Sequence, residues 1–522
     1  MKSPLGFWDR VSLSLAPDWA LRRIRARTVA SLLGRNYEAA QPGRRTSGWN
    51  RNNGDANTAN AGAVRELRLH ARDLIRNNAW ARKAQRIIAN NTVGWGIVPK
   101  AQGPNAKNNA KAQAVWKRWA ESTDCETEGR FSFYGLQQLL MRCIPESGEI
   151  LVRRRLRFPE DGLFLPIQLQ VLESDFLDSN KDGTGIAGGP IVQGIEYDKL
   201  GRRAAYWLFP EHPGSTNSMG ILESKRVPAS EILHVFHTQR PGEARGVSWF
   251  GAAIVTLKEL DAYDDAELMK QRIAACFSAF VSDSTGAGTA IGEQDPDDAA
   301  IETLEPGMIH QLPDGKTVTF ANPPGVTSDS LPTRNLRKIA AALGVTYEDL
   351  TGDYSQVNFS SARMGRIAHQ GNVRDWQANM LIPLFCAGVW RWVMEVAVAA
   401  GEISEVPGSE WTSPPLPMLE PDKEGLAYQR LVRIGLMTPS EMVREQGGDP
   451  EAHWEAYAAD LKKLDALEIK LDSDVRAVSQ SGQEQAGPSA QSQFPQDAAP
   501  PPADQKNSAE DFEINVSLEE IT

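Results

Sequence analysis

Residues Ser360 to Ala400 carry one continuous helical pattern, and its second half, MLIPLFCAGVWRWVMEVAVAA (Met380–Ala400), is almost uninterruptedly apolar. A block of that length meets the ~20-residue requirement of a bilayer span. Arg391 and Glu395 interrupt it, however, and Pro383 lies near its start. Two charges at the centre of a lone span cost about 2.5–3.5 kcal/mol each even on lenient scales. The segment therefore predicts a buried helix, broken near Pro383, and no membrane. A helix apolar on most of its surface needs a large body around it. The chain has the means, with 522 residues of which 41% are hydrophobic, enough for a sizeable core.

The rest of the chain changes period in blocks. The basic, Gly/Asn-rich segment 1–60 predicts an extended arm with Tyr37 and Trp49 as anchors. From Ala61 to Asn91 apolar residues recur at helical spacing, and Arg65, Arg68, Arg72, Arg76, Arg82 and Arg86 fill the rest. Those arginines predict a solvated face with intrahelical pairs such as Arg68 with Asp73; contacts to other subunits or to nucleic acid are the alternative. Helices follow near Ala110–Ala120, with Trp116 and Trp119, and over Phe131–Cys143. Between Glu149 and Phe236 the period falls to two, which predicts a mostly antiparallel strand region. A long helix with a strongly acidic middle, KELDAYDDAELMKQR, spans Trp249–Phe280. Short strands (GMIHQL, TVTFA) and a helix over Thr333–Leu343 come next. Trp116, Trp119, Trp376, Trp390 and Trp392 are expected in the core or at an interface. In TPSEMVREQG, Thr438 predicts an N-cap with Pro439 at the first helical position and Glu441 behind it. Past about Leu471 the Gln/Ser/Pro/Ala-rich acidic composition predicts disorder.

Several motifs mimic active sites. GTGIAGG (Gly183–Gly189) has the letters of a dinucleotide loop, but a strand pattern follows where a helix is needed, so a turn between strands is expected. The histidines of HVFH (His234–His237) point to opposite faces of a strand, which disfavours zinc. GVSWFG has the wrong spacing for a nucleophile elbow. Asp264 and Asp265 sit among other helical charges. Cys125, Cys143, Cys276 and Cys386 form no CxxC pair, so a reducing compartment is the default. No catalytic centre, metal site or cofactor is expected. The net charge of −11 argues against a protein that grips nucleic acid over its whole surface, because such grip comes from cations on phosphates.

Taken in order, these segments resemble the lambda-type portal proteins of tailed bacteriophages, from about Tyr37 to Leu461. The resemblance is carried by YEAA with Arg45 and Trp49, LRLHARDLIRNNAWARKA, TVGWGI, WKRWAESTDCE, ESGEILV, GIEYDKLGRRAAYWL, RGVSWFGAAI and, most specifically, GVTYEDLTGDYSQVNFSSAR. Ser147 stands where the family usually has Asp, which affects only local turn geometry. The resemblance implies an α+β portal-type subunit assembled as a ring, normally a dodecamer, at one capsid vertex. Double-stranded DNA would be packaged through it by a docked terminase and held by head-completion proteins. Major capsid and scaffold proteins would be further partners. The location implied is the virion, with the host cytoplasm during assembly. The implied divisions are an arm (1–60), a wing (61–245), a stem helix (246–280), a clip (281–325), a second stem helix (326–343), a tunnel-loop candidate (344–360), a long helix and crown (361–466) and a disordered tail (467–522). A capsid connector that conducts no DNA is the nearest alternative; a nucleotide-dependent enzyme built on Gly183–Gly189 is a more distant one.

An acidic stem helix suits such a channel. Duplex DNA carries about one negative charge per 1.7 Å of axis, and an acidic wall repels it within a Debye length of ~8–10 Å. Lys258, Lys270, Arg334, Arg337 and Lys338 are candidate cations for weak damping rings, with intrahelical pairing as the alternative. Gln356 and Asn358 are candidate uncharged phosphate contacts. Tyr347, Tyr354 and Phe359 are expected to pin the base of that loop, and Ser360 or Ser361 to cap the helix after it.

Overall fold

The computed structural model describes residues 47–48, 53–216, 223–275, 279–283, 316–320, 330–415, 418, 420–469 and 471. Most of the expected arm, including Tyr37 and Trp49, lies outside them. So do Cys276, the GMIHQL strand, most of 281–325 and the tail past residue 471. Two compact units divide the chain: residues 1–419 with 445–447, and residues 420–444 with 448–522.

The first unit opens with α1 (Ala56–Asn60), capped by Asp55, then α2 (Val64–Asn77) and α3 (Ala79–Val93). The single helix expected here is split at Asn78. Its extended backbone ends α2, and its side chain accepts from the Ala81 N–H to cap α3. β1 (Val98–Gln102), α4 (Ala106–Glu121) and α5 (Phe133–Ser147) follow. α5 outruns the expected end at Cys143. It carries Pro145 in its last turn and stops at Gly148, whose φ of +87° is the left-handed conformation of a helix C-cap.

The strand-rich region is antiparallel, as its period implies. β2 (Glu149–Leu156) lies between β3 (Ile167–Leu172) and β9 (Ile232–Phe236). A second, meandering sheet holds β4 (Gly183–Thr184), β5 (Gly188–Val192), β6 (Ile195–Asp198), β7 (Arg203–Leu208) and β8 (Lys225–Pro228) in that order. The glycine-rich GTGIAGG is the β4–β5 hairpin, with Gly183 paired to Ile191. No helix follows it, so the geometry a dinucleotide loop needs is missing there.

The long acidic helix is shorter than its sequence pattern. A tight turn at Trp249–Ala252 precedes α6 (Ile254–Ala275), and Phe280 sits instead in β10 (Ala279–Asp283), paired with β11 (Lys316–Phe320). α7 (Ser330–Leu343) and the one-and-a-half-turn α8 (Tyr347–Thr351) lead to the long helix. That helix runs as α9 (Phe359–Asp375), wide turns at Trp376–Cys386, and α10 (Ala387–Ala399). In the wide turns the Ala387 N–H bonds the Ile382 carbonyl, five residues back. Pro383 lies inside them. A proline has no N–H to give and its ring crowds the carbonyl of the previous turn, and wider turns relieve that conflict without ending the helix.

The apolar half of this helix is core, as expected. Phe385, Val389, Trp390, Val393, Met394 and Ala397 are buried, while Arg391 and Glu395 face outward and Glu395 meets Arg154 at 3.4 Å. By length and composition Ser360–Ala399 could cross a membrane, yet 56% of its apolar window is buried inside the protein. Trp116 sits at the centre of an aromatic cluster, with ring centroids 4.9 Å from Phe133, 5.1 Å from Trp390 and 5.5 Å from Trp119. Trp376 and Trp392 are buried too. β12 (Gly408–Thr412) closes this side by pairing with β1, and the Trp390 indole N–H bonds the Pro407 carbonyl.

The second unit holds α11 (Pro421–Arg433), most of α12 (Pro439–Glu445) and α13 (Pro450–Ala466). The Thr438 cap is present as a reciprocal box: Glu441 N–H donates to Thr438 Oγ1, and Thr438 N–H to a Glu441 carboxylate oxygen at 2.7 Å.

Candidate functional site

α6 is anchored through its first two turns. Ala253, Thr256, Leu257 and Leu260 are buried, whereas no residue from Asp261 to Arg272 is, and Leu268 and Met269 are exposed. Asn78 Nδ2 donates to Asp261 at 2.6 Å. Partial burial, with the charges of Asp261 and Asp265, pushes the Asp264 carboxyl above its ordinary range. That direction marks a crowded acidic surface.

The five candidate cations divide. Lys270 pairs within its own helix, 3.5 Å from Glu267, and the Arg337 guanidinium lies 5.3 Å over the Tyr347 ring. Lys258, Arg334 and Lys338 are exposed and make no ion pair among the described residues.

The segment 344–360 is more ordered than a polar loop. Thr346 caps α8 and Gly352 ends it in the left-handed conformation. Tyr347 packs half-buried on the core. Tyr354 is 57% exposed, and among the described residues its ring pins no part of the loop base; its hydroxyl lies 3.5 Å from Asp349. Phe359 is the first residue of α9. The cap of that helix is Asn358, not Ser360 or Ser361. Its side chain accepts from the Ser361 N–H, and Ser361 Oγ accepts from the Asn358 N–H. With its amide oxygen engaged there, Asn358 is less free than Gln356, which is exposed.

Two arginines of α2, Arg68 and Arg72, contradict the solvated-face expectation, whereas Arg65 and Arg76 are exposed as expected. Arg68 is buried and pairs with Asp175 at 3.0 Å; Asp73 instead accepts from Asn77. Arg72 reaches Glu146 at 3.2 Å, Glu173 at 2.6 Å and Asp175 at 2.7 Å. Glu173, Asp175 and His212 have metal-ligand types within 4.8 Å of one another. The Arg72 guanidinium bonds both carboxylates, which makes the group an ion-pair cluster.

Deeper still, Glu149 is fully buried. It accepts from Arg245 Nε at 2.7 Å, from the Gly246 N–H at 2.9 Å and from His234 at 2.9 Å. Burial pushes the Glu149 carboxyl up, but Arg245 and His234 outweigh that and hold it far below its ordinary range. Arg203 lies 3.3 Å from His234 Nδ1. Arginine can only donate, so Nδ1 is the acceptor and the ring is neutral, with its proton on Nε2 toward Glu149. Burial pushes this imidazole down to about 4, against the pull of Glu149. The motifs ESGEILV and RGVSWFGAAI thus meet at one ionic joint. Sequence pattern did not reveal it, although Glu149 shares a strand face with Leu151, where a lone charge implies a buried partner.

The joint sets a pH response. A neutral folded His234 and a free histidine near 6.5 differ in proton binding only below that value. Stability is full above pH ~6.5 and falls as pH drops toward ~4, by about 3 kcal/mol for this group alone. The depressed Glu149 carboxyl adds a further loss below the ordinary carboxylate range. Calorimetric unfolding between pH 8 and 4 checks this, and the His234→Gln chain should show a shallower slope.

A family model described as phage portal protein, lambda family, matches residues 42–377. A probable portal protein of Halomonas phage phiHAP-1 is 27% identical over 464 residues, covering 84% of this chain and 88% of the relative. Portal protein B of Escherichia phage lambda is 23% identical over 336 residues, covering 56% and 61%. Among solved structures, a chain from the neck of an empty GTA particle aligns with a TM-score of 0.45 at 16% identity, over 74% of this chain and 94% of that one.

Proposed function

This chain belongs to the lambda family of phage portal proteins, and from that premise we propose that copies of it form the ring at one capsid vertex through which double-stranded DNA enters and later leaves. The match over residues 42–377, which takes in the acidic helix α6, carries the proposal. A ring of head-to-tail contacts needs one surface of the subunit to fit a different surface of its neighbour. The exposed Leu268 and Met269, on a stretch of helix with no buried residue from Asp261 to Arg272, supply an unpartnered surface of that kind. The acidic charge beside it favours passage of a polyanion over capture.

In this proposal residues 61–245 are the wing, α6 and α7 the stem, and the segment with β10 and β11 the clip. Residues 344–360 form or support the tunnel loop, and 361–466 the inner helix and crown. The subunit count is twelve. The partners are the terminase large subunit, the capsid and scaffold proteins and the head-completion proteins. The protein resides in the virion after assembly in the host cytoplasm. It performs no catalysis; hydrolysis belongs to the docked motor.

Electron microscopy of the purified full chain is the test, with closed rings whose channel admits a duplex as the expected result. Lone subunits at working concentration, with or without coat protein, would remove the proposal. Within it, Gln356→Ala should leave rings intact and lower DNA retention about threefold, the equivalent of roughly 0.7 kcal/mol for one neutral hydrogen bond. Unchanged retention in packaged particles would end the DNA-contact role of Gln356.

A further inference from the structure

Five arginines converge on one groove of about 730 Å³: Arg72 and Arg76 from the end of α2, Arg82 and Arg86 from α3, and Arg142 from α5. Two of them are committed. Arg72 is held by its three carboxylates, and Arg82 donates to the Ile75 and Arg76 carbonyls at the end of α2. The side chains of Arg76, Arg86 and Arg142 are exposed and make no hydrogen bond or ion pair among the described residues. Like charges one helical turn apart, as in Arg72 with Arg76 and Arg82 with Arg86, destabilise a helix. The groove nevertheless gathers both pairs, in a chain whose net charge is −11.

We propose that this groove is the docking site for an acidic peptide segment of a partner protein. Charge complementarity points to carboxylates, since guanidinium forks bind them through paired hydrogen bonds. The rest of the lining decides between a peptide and DNA. Glu146 and Glu173 also face the groove, and Gln85 at its floor is turned to Glu146 and the Arg142 carbonyl. A peptide carries backbone N–H donors beside its carboxylates and so satisfies both signs of the lining. The sugar-phosphate backbone of DNA offers acceptors only, and a convex duplex needs a strip of cations along that backbone. The docked partner being a protein of the assembling particle rests on the portal reading; the chemistry of the groove does not.

The experiment is a fluorescence-anisotropy titration of the full chain with labelled hexaglutamate peptide at low salt, with hexaglutamine as the uncharged control. Saturable binding with a Kd on the order of 10 μM is expected. The Arg76→Gln, Arg86→Gln, Arg142→Gln triple variant should bind at least about tenfold more weakly at an unchanged melting temperature. Arg142→Gln alone should weaken binding about threefold, and it serves if the triple variant does not fold. No saturation, equal binding by the variants, or equal binding of hexaglutamine overturns the proposal. So does a short duplex that displaces the peptide and binds more tightly, which would assign the groove to DNA. Loss of rings in the triple variant would assign it to a second copy of the chain and overturn it equally. Wild-type chain that binds the peptide yet never forms rings would leave the groove standing and remove the portal reading.

Discussion

The Glu149→Ala chain is expected to lose about 3–5 kcal/mol of unfolding free energy, the usual cost of stripping one partner from a buried ion pair. Three donors converge on this carboxylate, from Arg245, neutral His234 and the Gly246 backbone, and the side chains of Glu149, Arg245 and His234 are all nearly without exposure. Alanine leaves the Arg245 guanidinium buried beside no anion. Its other acceptors, Ser179 Oγ at 3.0 Å and the carbonyls of Ser174 and Gln193 at 3.3 and 3.5 Å, are neutral. Glu149→Gln keeps an oxygen for one donor and should fall between the two. Urea unfolding of the full chain measures the difference. A loss under ~1 kcal/mol for alanine would mean that water reaches the joint, and the buried-pair description would be wrong.

Gly148→Ala should be nearly as damaging, for a reason that owes nothing to charge. The residue is left-handed, which costs an alanine about 1–2 kcal/mol by itself. A Cβ there would also fall 2.4 Å from the Val247 carbonyl carbon and 2.7 Å from the Ser248 nitrogen, which are backbone atoms of the strand of chain crossing it. Overpacking of that kind adds roughly 1–3 kcal/mol, for a total of ~2–5. The same crossing excludes a side chain at Gly246, where a Cβ would meet the Gly148 carbonyl oxygen at 2.2 Å. A shift of the urea midpoint equal to that of an exposed glycine such as Gly371, which has open space around it, would show that the two segments separate easily.

Local chemistry was legible in the sequence, and long-range chemistry was not. The reciprocal cap at Thr438 and Glu441, the antiparallel strands between Glu149 and Phe236, and the buried tryptophans of the apolar helix all follow from neighbours a few residues apart. Arg68 shows the limit. Its helical neighbours offer Asp73, so spacing assigns a surface pair, yet its partner Asp175 comes from beyond β3. Periodicity records which face a residue occupies and says nothing about what another segment brings to it. The same holds for Asn78, whose cap splits one apolar period into two helices, and for Asn358, a cap that nearby Ser360 and Ser361 match in residue type. Phe280 lies in β10 although the apolar spacing of α6 continues to it, because a short apolar run does not distinguish helix from strand.

The wide turns at Trp376–Cys386 have a geometric corollary. Each residue there advances the helix by less than the ~100° of an ordinary turn. The outward stripe of α9 is therefore rotated out of line with that of α10, although the chain is helical throughout. Upstream of Pro383 the buried face is set by Val373, Trp376, Met380 and Leu381, and downstream by Val389, Trp390, Val393 and Met394. Tightening those turns at constant length would rotate the two buried faces against each other, so Trp376 and Trp390 could no longer both sit in the core.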